Sequence, residues 1–232
     1  MTILEKLRLA APQMTSPSTE NLPDEAQLAI AYTAAAMRRP LTVFLELDAR
    51  LARIVAATNE PMLGQMRLAW WRDMLAKPFE ERPQGDAVLD GIGDHWAGHE
   101  AALSALVDAW EIMLAENLDA AAALEFATNR ARPAEALAEM VSSNAEQSHA
   151  VGRGMIRWAL ADAAVNISSS EEREILLQQA TAQLRDRASY PRSLKGLRIL
   201  SALAERSVRK GGRPLMEGRG AALTAIRAAM LG

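Results

Sequence analysis

The sequence contains no cysteine, which excludes disulfide bonds and thiolate ligands for a metal. Aromatic residues make up only 4% of the 232 residues and β-branched residues are few, so the composition favours helices over strands. No apolar run reaches the ~18 residues that a membrane-spanning helix needs. The first residues mix Glu5, Lys6 and Arg8 with apolar side chains, unlike a signal peptide. We therefore expect a cytoplasmic protein.

Positive charge is concentrated in the C-terminal quarter of the chain. Residues 185–232 carry a net charge of +8, whereas the whole chain carries −3, so residues 1–184 carry −11. A basic quarter of this kind suits an anionic partner such as a diphosphate or an acidic lipid surface, or it forms ordinary solvated helix faces. The few aromatic residues and the overall negative charge argue against a nucleic-acid partner.

The chain divides into an N-terminal stretch and one domain. Residues 12–24 are rich in Pro, Ser and Thr, so we expect residues 1–24 to form a short amphipathic stretch and a flexible tether. Residues 25–232 show apolar residues at helical spacing, without β-alternating runs or an internal repeat. This pattern predicts a single all-α domain of eight to ten helices.

Proline and glycine suggest several helix boundaries. Pro40 is predicted to end the first helix, and Pro133 to separate two helices, because proline lacks the N–H that a helix interior uses. Gly152 and Gly154 are predicted to form a soft joint within a later helical segment.

The stretch "MRLAWWRDML" places two tryptophans side by side. Successive residues of a helix point about 100° apart, so Trp70 and Trp71 cannot share the centre of one face. Met62, Met66, Trp70 and Met74 follow one another at a spacing of four, which predicts that Trp70 lies in the core. Trp71 is then predicted either to border an apolar groove or to pack against a neighbouring helix.

Motifs for metal binding and catalysis are weak. His95 and His99 are four residues apart, a spacing that can hold a metal on one helix turn, but no third ligand is evident and we expect no metal site. The sequence lacks the glycine-rich phosphate and dinucleotide motifs and the nucleophile elbow. We therefore assign no catalytic residue.

The stretch "AIAYTAAAMRRPLTVFLELDARLARIVAATNEPMLGQMRLAWWRDML" resembles the squalene/phytoene synthase family. The most specific part is "RLAWWR" at 67–72, a helix that follows the acidic, proline-containing turn "NEP" at 59–61. Weaker similarity continues through "WALAD" and "LKGLRILSALAERSVRKGG", so that the resemblance covers most of residues 25–212. It implies an isoprenoid-synthase-like helical bundle around a central cavity, and Mg²⁺-dependent joining of two prenyl diphosphates.

The chain departs from this family at the metal ligands. The first aspartate-rich motif falls on residues 52–56, "ARIVA", which contain no acid. The second motif is expected near residues 154–166, where only Asp162 remains. The long predicted helix that contains residues 52–56 offers only Asp48. The resemblance therefore implies a non-catalytic member, similar to the superfamily member that assists assembly of mitochondrial complex I.

These observations favour a non-catalytic binding or assembly factor related to respiratory complex I, with a peripheral position at the inner membrane. Two alternatives stay open: a prenyltransferase with an atypical Mg²⁺ site that includes Asp48 and Asp162, and an isoprenoid or lipid carrier. The expected partner is a protein or a prenyl or lipid ligand, and no cofactor is expected except Mg²⁺ for the enzyme. The candidate residues for a groove or cavity are Tyr32, Asp48, Arg67, Trp71, Arg72 and Asp162.

Overall fold

The computed structural model describes residues 22–58, 60–186 and 188–230, and within these ranges it contains ten α-helices and no strand. The predicted all-α class is confirmed. The predicted N-terminal stretch and tether lie outside the described residues, except for residues 22–24. The helices are α1 (Asp24–Tyr32), α2 (Ala35–Ala56), α3 (Pro61–Ala76), α4 (Ala87–His95), α5 (Glu100–Ile112), α6 (Ala120–Val141), α7 (Ala145–Asn166), α8 (Ser170–Ala182), α9 (Lys195–Arg209) and α10 (Arg219–Met230).

Helices α6 and α7 form the centre of the bundle. They pack along each other, with α5 against α6 and with α8 and α9 against α7. Helix α9 also packs against α1 and α10. Helix α2 contacts α4, α5 and α6. Phe44, Trp96 and Phe126 are fully buried among leucines and many alanines. The small alanine side chains allow the helix axes to approach closely, which suits a composition with few aromatic residues.

Several helices begin at a residue whose side chain accepts a hydrogen bond from the first turn. Asp86, Asp119, Asn144 and Ser169 cap α4, α6, α7 and α8 in this way. These caps satisfy backbone N–H groups that have no partner within the helix. Asp86 also accepts a hydrogen bond from Arg50 at 2.6 Å, which joins the start of α4 to α2.

The break between the first two helices lies at Thr33, and the prediction that Pro40 ends the first helix is wrong. Pro40 lies inside α2, which begins at Ala35. The Thr33 hydroxyl donates to a backbone oxygen of α1, while the Ala34 N–H donates to the Ser193 carbonyl at 3.0 Å. The backbone N–H after Thr33 therefore bonds to a distant segment of the chain and no longer to α1.

Two other predicted boundaries are also wrong. Helix α6 continues through Pro133, and α7 continues through Gly152 and Gly154. A Cβ atom at Gly154 would collide with the Tyr190 hydroxyl. This glycine therefore permits close packing of a neighbouring segment and does not form a joint.

Within the ranges that the structure describes, each helix is too short or too polar to cross a lipid bilayer.

Candidate functional site

Helix α3 places the two neighbouring tryptophans in different environments, opposite to the prediction for Trp70. Trp71 is only 4% exposed and lies in the core, whereas Trp70 is half-buried. The buried residues of α3 are Gly64, Leu68, Trp71, Met74 and Leu75. The Trp70 ring meets the Trp71 ring edge-on at a centroid distance of 5.2 Å. Trp71 therefore packs in the core, as one of its two predicted alternatives states.

The spacing of the methionines gave a wrong prediction for Trp70, because residues at steps of four do not stay on one face of a helix. Four residues turn the helix by about 400°, so Met74 lies ~120° around the axis from Met62. Met62 and Met66 are 72% and 55% exposed, whereas Met74 is buried. The line thus begins in solvent and ends in the core, and Trp70 lies at the boundary.

Three of the predicted groove residues lie on the surface. Arg67 is exposed, and Tyr32 is 44% exposed at the end of α1. The Arg72 guanidinium donates to Glu111 at 2.6 Å and to Asp108 at 2.5 Å, which joins α3 to α5. The hydrogen bonds that Arg72 donates to Glu111 and to Asp108 raise the pKa of its guanidinium. Arg72 therefore stabilises a helix contact.

The structure brings together the remaining two candidates, Asp48 of α2 and Asp162 of α7. Both carboxylates contact Arg130 of α6. The Nε and Nη2 atoms of Arg130 donate to the two oxygens of Asp48 at 2.9 and 2.7 Å. Nη2 also lies 2.7 Å from Asp162 Oδ2. The Asp48–Arg130–Asp162 cluster, as we call it, therefore joins three helices at one point in the interior.

Aromatic rings enclose the Arg130 guanidinium. Its central carbon lies 4.3 Å from the ring centroid of Trp158, 4.9 Å from that of Trp110 and 5.7 Å from that of Phe126. A guanidinium is attracted to the faces of such rings. The Trp110 indole N–H donates to Asp48 Oδ1 at 2.8 Å. The aromatic residues thus shield the ion pair from water and add a hydrogen bond to it.

Arg130 is a permanent cation within this cluster. Burial lowers the pKa of its guanidinium, but attraction to Asp48 and Asp162 and the hydrogen bonds to them outweigh burial and raise it above its ordinary value. Two carboxylates and one guanidinium leave one formal negative charge. Asp162 is the most exposed of the three side chains, at 18%. The excess negative charge therefore lies toward the surface.

Asp162 also lines a surface pocket with a volume of about 450 Å³. Three carboxylates, those of Glu25, Asp162 and Glu217, line this pocket, and no basic side chain does. Asp162 is paired with Arg130 outside the lining, and Glu217 lies 3.9 Å from Arg213. Burial raises the pKa of Glu25, a backbone hydrogen bond opposes this shift, and the charges of Asp162 and Asp24 raise the pKa further. The other lining residues are Pro23, Val165, Asn166, Pro214, Leu215 and Met216. A cationic group fits such a pocket better than an anionic one.

The cluster leaves Asp48 with little capacity to bind a metal ion. Its Oδ1 accepts from Trp110 and Arg130, and its Oδ2 accepts from Arg130. A metal at Asp48 would have to displace the buried guanidinium. Among the described residues, no group of three or more His, Cys, Asp or Glu is arranged to hold a metal ion.

His95 and His99 do not share a helix turn. His95 is the last residue of α4 and His99 precedes α5, with Gly98 at φ +83° between them. The spacing of four residues in the sequence therefore does not place the two imidazoles on one helical face.

Sequence reasoning missed Arg130, the residue that organises the cluster. One signal for it was present. Arg130 is four residues after Phe126 and four before Ala134, so it lies on the apolar face of α6. A lone arginine on such a face requires an acidic partner in the interior. The sequence does not show which acid, because Asp48 is 82 residues away.

Comparison of the chain with protein-family models, with curated proteins and with solved structures gives no match. The resemblance to squalene/phytoene synthases therefore stays a prediction from the quoted motif, and the chain is identified as an all-α helical bundle that holds a buried acid–arginine–acid cluster.

Proposed function

We propose that this protein is a non-catalytic binding protein that acts by docking another protein. The observation that carries this proposal is the buried cluster. Both interior acids that the resemblance offers as metal ligands, Asp48 and Asp162, are paired with Arg130. They join three helices through Arg130 in place of binding a metal ion.

The chemistry of diphosphates explains why this pairing argues against transferase activity. Mg²⁺ requires carboxylate oxygens that are free to enter its coordination shell while it bridges to phosphate oxygens. Here a guanidinium occupies both oxygens of Asp48. The surface pocket is lined by three carboxylates, which repel a diphosphate headgroup. This repulsion also argues against an isoprenoid diphosphate carrier.

A candidate surface for the protein partner lies on α3. We call this surface the α3 face: Met62, Leu63, Met66 and Trp70. The first three residues are 72%, 47% and 55% exposed, and the tryptophan is half-buried. A contiguous apolar patch of this type marks an interaction site more often than scattered single residues do.

The charges around the α3 face favour a protein over a lipid surface. Glu60, Arg67 and Asp73 are all exposed there and carry both signs. Mixed charge does not favour an anionic bilayer, whereas Trp, Met and Arg are enriched where proteins meet. We therefore propose a partner with an apolar helical segment flanked by both charges. The resemblance suggests assembly of respiratory complex I as the process.

Titration with a prenyl diphosphate tests the absence of transferase chemistry. We expect that geranylgeranyl diphosphate, added with and without Mg²⁺, produces no binding heat in calorimetry and no release of diphosphate. Mg²⁺-dependent binding with release would contradict the proposal and support a prenyltransferase. Binding without Mg²⁺ and without release would contradict it in favour of a carrier.

A pair of double variants tests the α3 face. We expect Met62→Asp/Met66→Asp to lose at least one protein that the unmodified chain captures from a cell extract, because two carboxylates oppose burial of this face. Leu223→Asp/Ile226→Asp, which alters exposed apolar residues of α10, is the matched control and should retain that protein. The retained protein is then purified and its affinity for each variant is measured by calorimetry.

Two results of this experiment would contradict the proposal. The first is equal capture by both double variants. The second is self-association of the purified chain that only the α3 substitutions abolish, since the occupant of the face would then be a second copy.

A further inference from the structure

Helix α10 packs with its small residues inward and its large apolar residues outward. Its buried face consists of Ala221, Ala225, Ala228 and Ala229. The α10 face, as we call the opposite side, contains Leu223, Ile226 and Met230, which are 63%, 44% and 77% exposed. These three residues follow at steps of three and four, so they form one stripe along the helix.

The charge on this helix has one sign. Arg219 and Arg227 are exposed, and α10 contains no acidic residue. Neither arginine forms an ion pair within the part of the chain that the structure describes. Arg219 lies on the apolar stripe one turn before Leu223, and Arg227 lies at its flank. The segment between α9 and α10 adds exposed Lys210, and its exposed Arg213 is balanced by Glu217 at 3.9 Å.

We propose that the α10 face docks this protein onto an anionic lipid bilayer. Helix α10 would lie in the plane of the interface, with the aliphatic side chains of the stripe inserted below the headgroups. The guanidinium groups of Arg219 and Arg227 would then reach the lipid phosphates, since long basic side chains extend toward the polar region.

The dimensions of the face favour a bilayer over a protein partner. Helix α10 has 12 residues, and its exposed side covers roughly 200 Å², at about 18 Å long and ~10 Å wide. A stable protein interface buries ~800 Å² on each partner and is anchored by aromatic residues. The α10 face has no aromatic residue. A bilayer adapts to a single helix and needs no complementary surface.

The α10 face differs in charge from the α3 face, although both expose apolar stripes. Both signs surround the α3 stripe, whereas α10 itself carries two arginines and no acid. The acid nearest to α10 in the sequence, Glu217, lies 3.9 Å from Arg213. The net charge of +8 over residues 185–232 extends this difference across the C-terminal quarter. An anionic surface therefore attracts the side of the molecule that carries α10.

Sedimentation of the full chain with lipid vesicles tests the inference. We expect binding to vesicles of phosphatidylcholine with roughly 30% phosphatidylglycerol, little binding to phosphatidylcholine alone, and weakening as salt rises from about 0.1 to about 0.5 M. Leu223→Asp/Ile226→Asp and Arg219→Glu/Arg227→Glu should each lower the partition coefficient by ~10-fold or more. Met62→Asp/Met66→Asp is the matched control and should bind as the unmodified chain does.

Each contrary result has a definite meaning. Binding that persists in both α10 variants, or that only the α3 variant loses, would overturn the inference because another surface would then make the contact. Failure of the unmodified chain to bind anionic vesicles would also overturn it. All substituted residues are exposed, so unchanged circular dichroism and Tm are expected and confirm that the variants are folded.

Discussion

Replacement of Arg130 by methionine should lower the free energy of unfolding by about 3–5 kcal/mol. Methionine fills much of the same space but leaves the buried Asp48 and the partly exposed Asp162 without their counter-charge. Asp48 would keep only the hydrogen bond from Trp110. Urea denaturation followed by tryptophan fluorescence measures the change, because two tryptophans surround the site.

Two further variants separate the buried charge from a general effect of losing arginine. Arg132 lies two residues away on the same helix, is 48% exposed and pairs with Glu135. Arg132→Met should change stability by less than about 0.5 kcal/mol. The double variant Asp48→Asn/Arg130→Met should be more stable than Arg130→Met alone, because it no longer contains the unpaired charge of Asp48. A loss below ~1 kcal/mol for Arg130→Met, or the same loss for Arg132→Met, would contradict the role assigned to the cluster.

Replacement of Gly196 by alanine should destabilise the protein by about 2–3 kcal/mol. A Cβ atom at this position would collide with the backbone carbonyl of Ala29 and with the Thr33 hydroxyl. The carbonyl belongs to the last turns of α1 and cannot rotate away, so α1 and α9 would have to separate. Thermal unfolding measures the effect as a fall in Tm of roughly 4–12 °C.

Gly220 provides a matched control in another helix. A Cβ atom there would lie 3.3 Å from the flexible Arg206 Nη2 atom, and no backbone group blocks it. Gly220→Ala should leave the stability unchanged or raise it by up to ~1 kcal/mol, because alanine favours helix. Equal effects of the two substitutions would show that the contact between α1 and α9 does not require glycine at position 196.

The buried cluster and the surface faces serve different purposes. A buried ion pair seldom adds net stability over an apolar replacement, but removal of one partner is costly. The cluster joins α2, α6 and α7 at one point. Helices α3 and α10 can expose apolar stripes, because the core among the described residues is formed by other side chains.

Local patterns in the sequence determined the class of the protein. Alanine and leucine content, helical spacing and the lack of β-alternation were sufficient for an all-α bundle, since helix formation depends on neighbours within four residues. Ser169 caps α8, a role that serine often takes at the start of a helix. The basic quarter is also visible from composition alone.

Only the tertiary structure decided where α1 ends, which tryptophan is buried and what pairs with the interior acids. Helix α1 ends before Thr33 because α9 packs against this residue. Trp71 is buried because it lies on the side of α3 that faces the bundle. Arg130 meets Asp48 across 82 residues. Such features depend on the relative rotation and position of distant helices, which are set by packing of the whole core and are not encoded within any single helical segment.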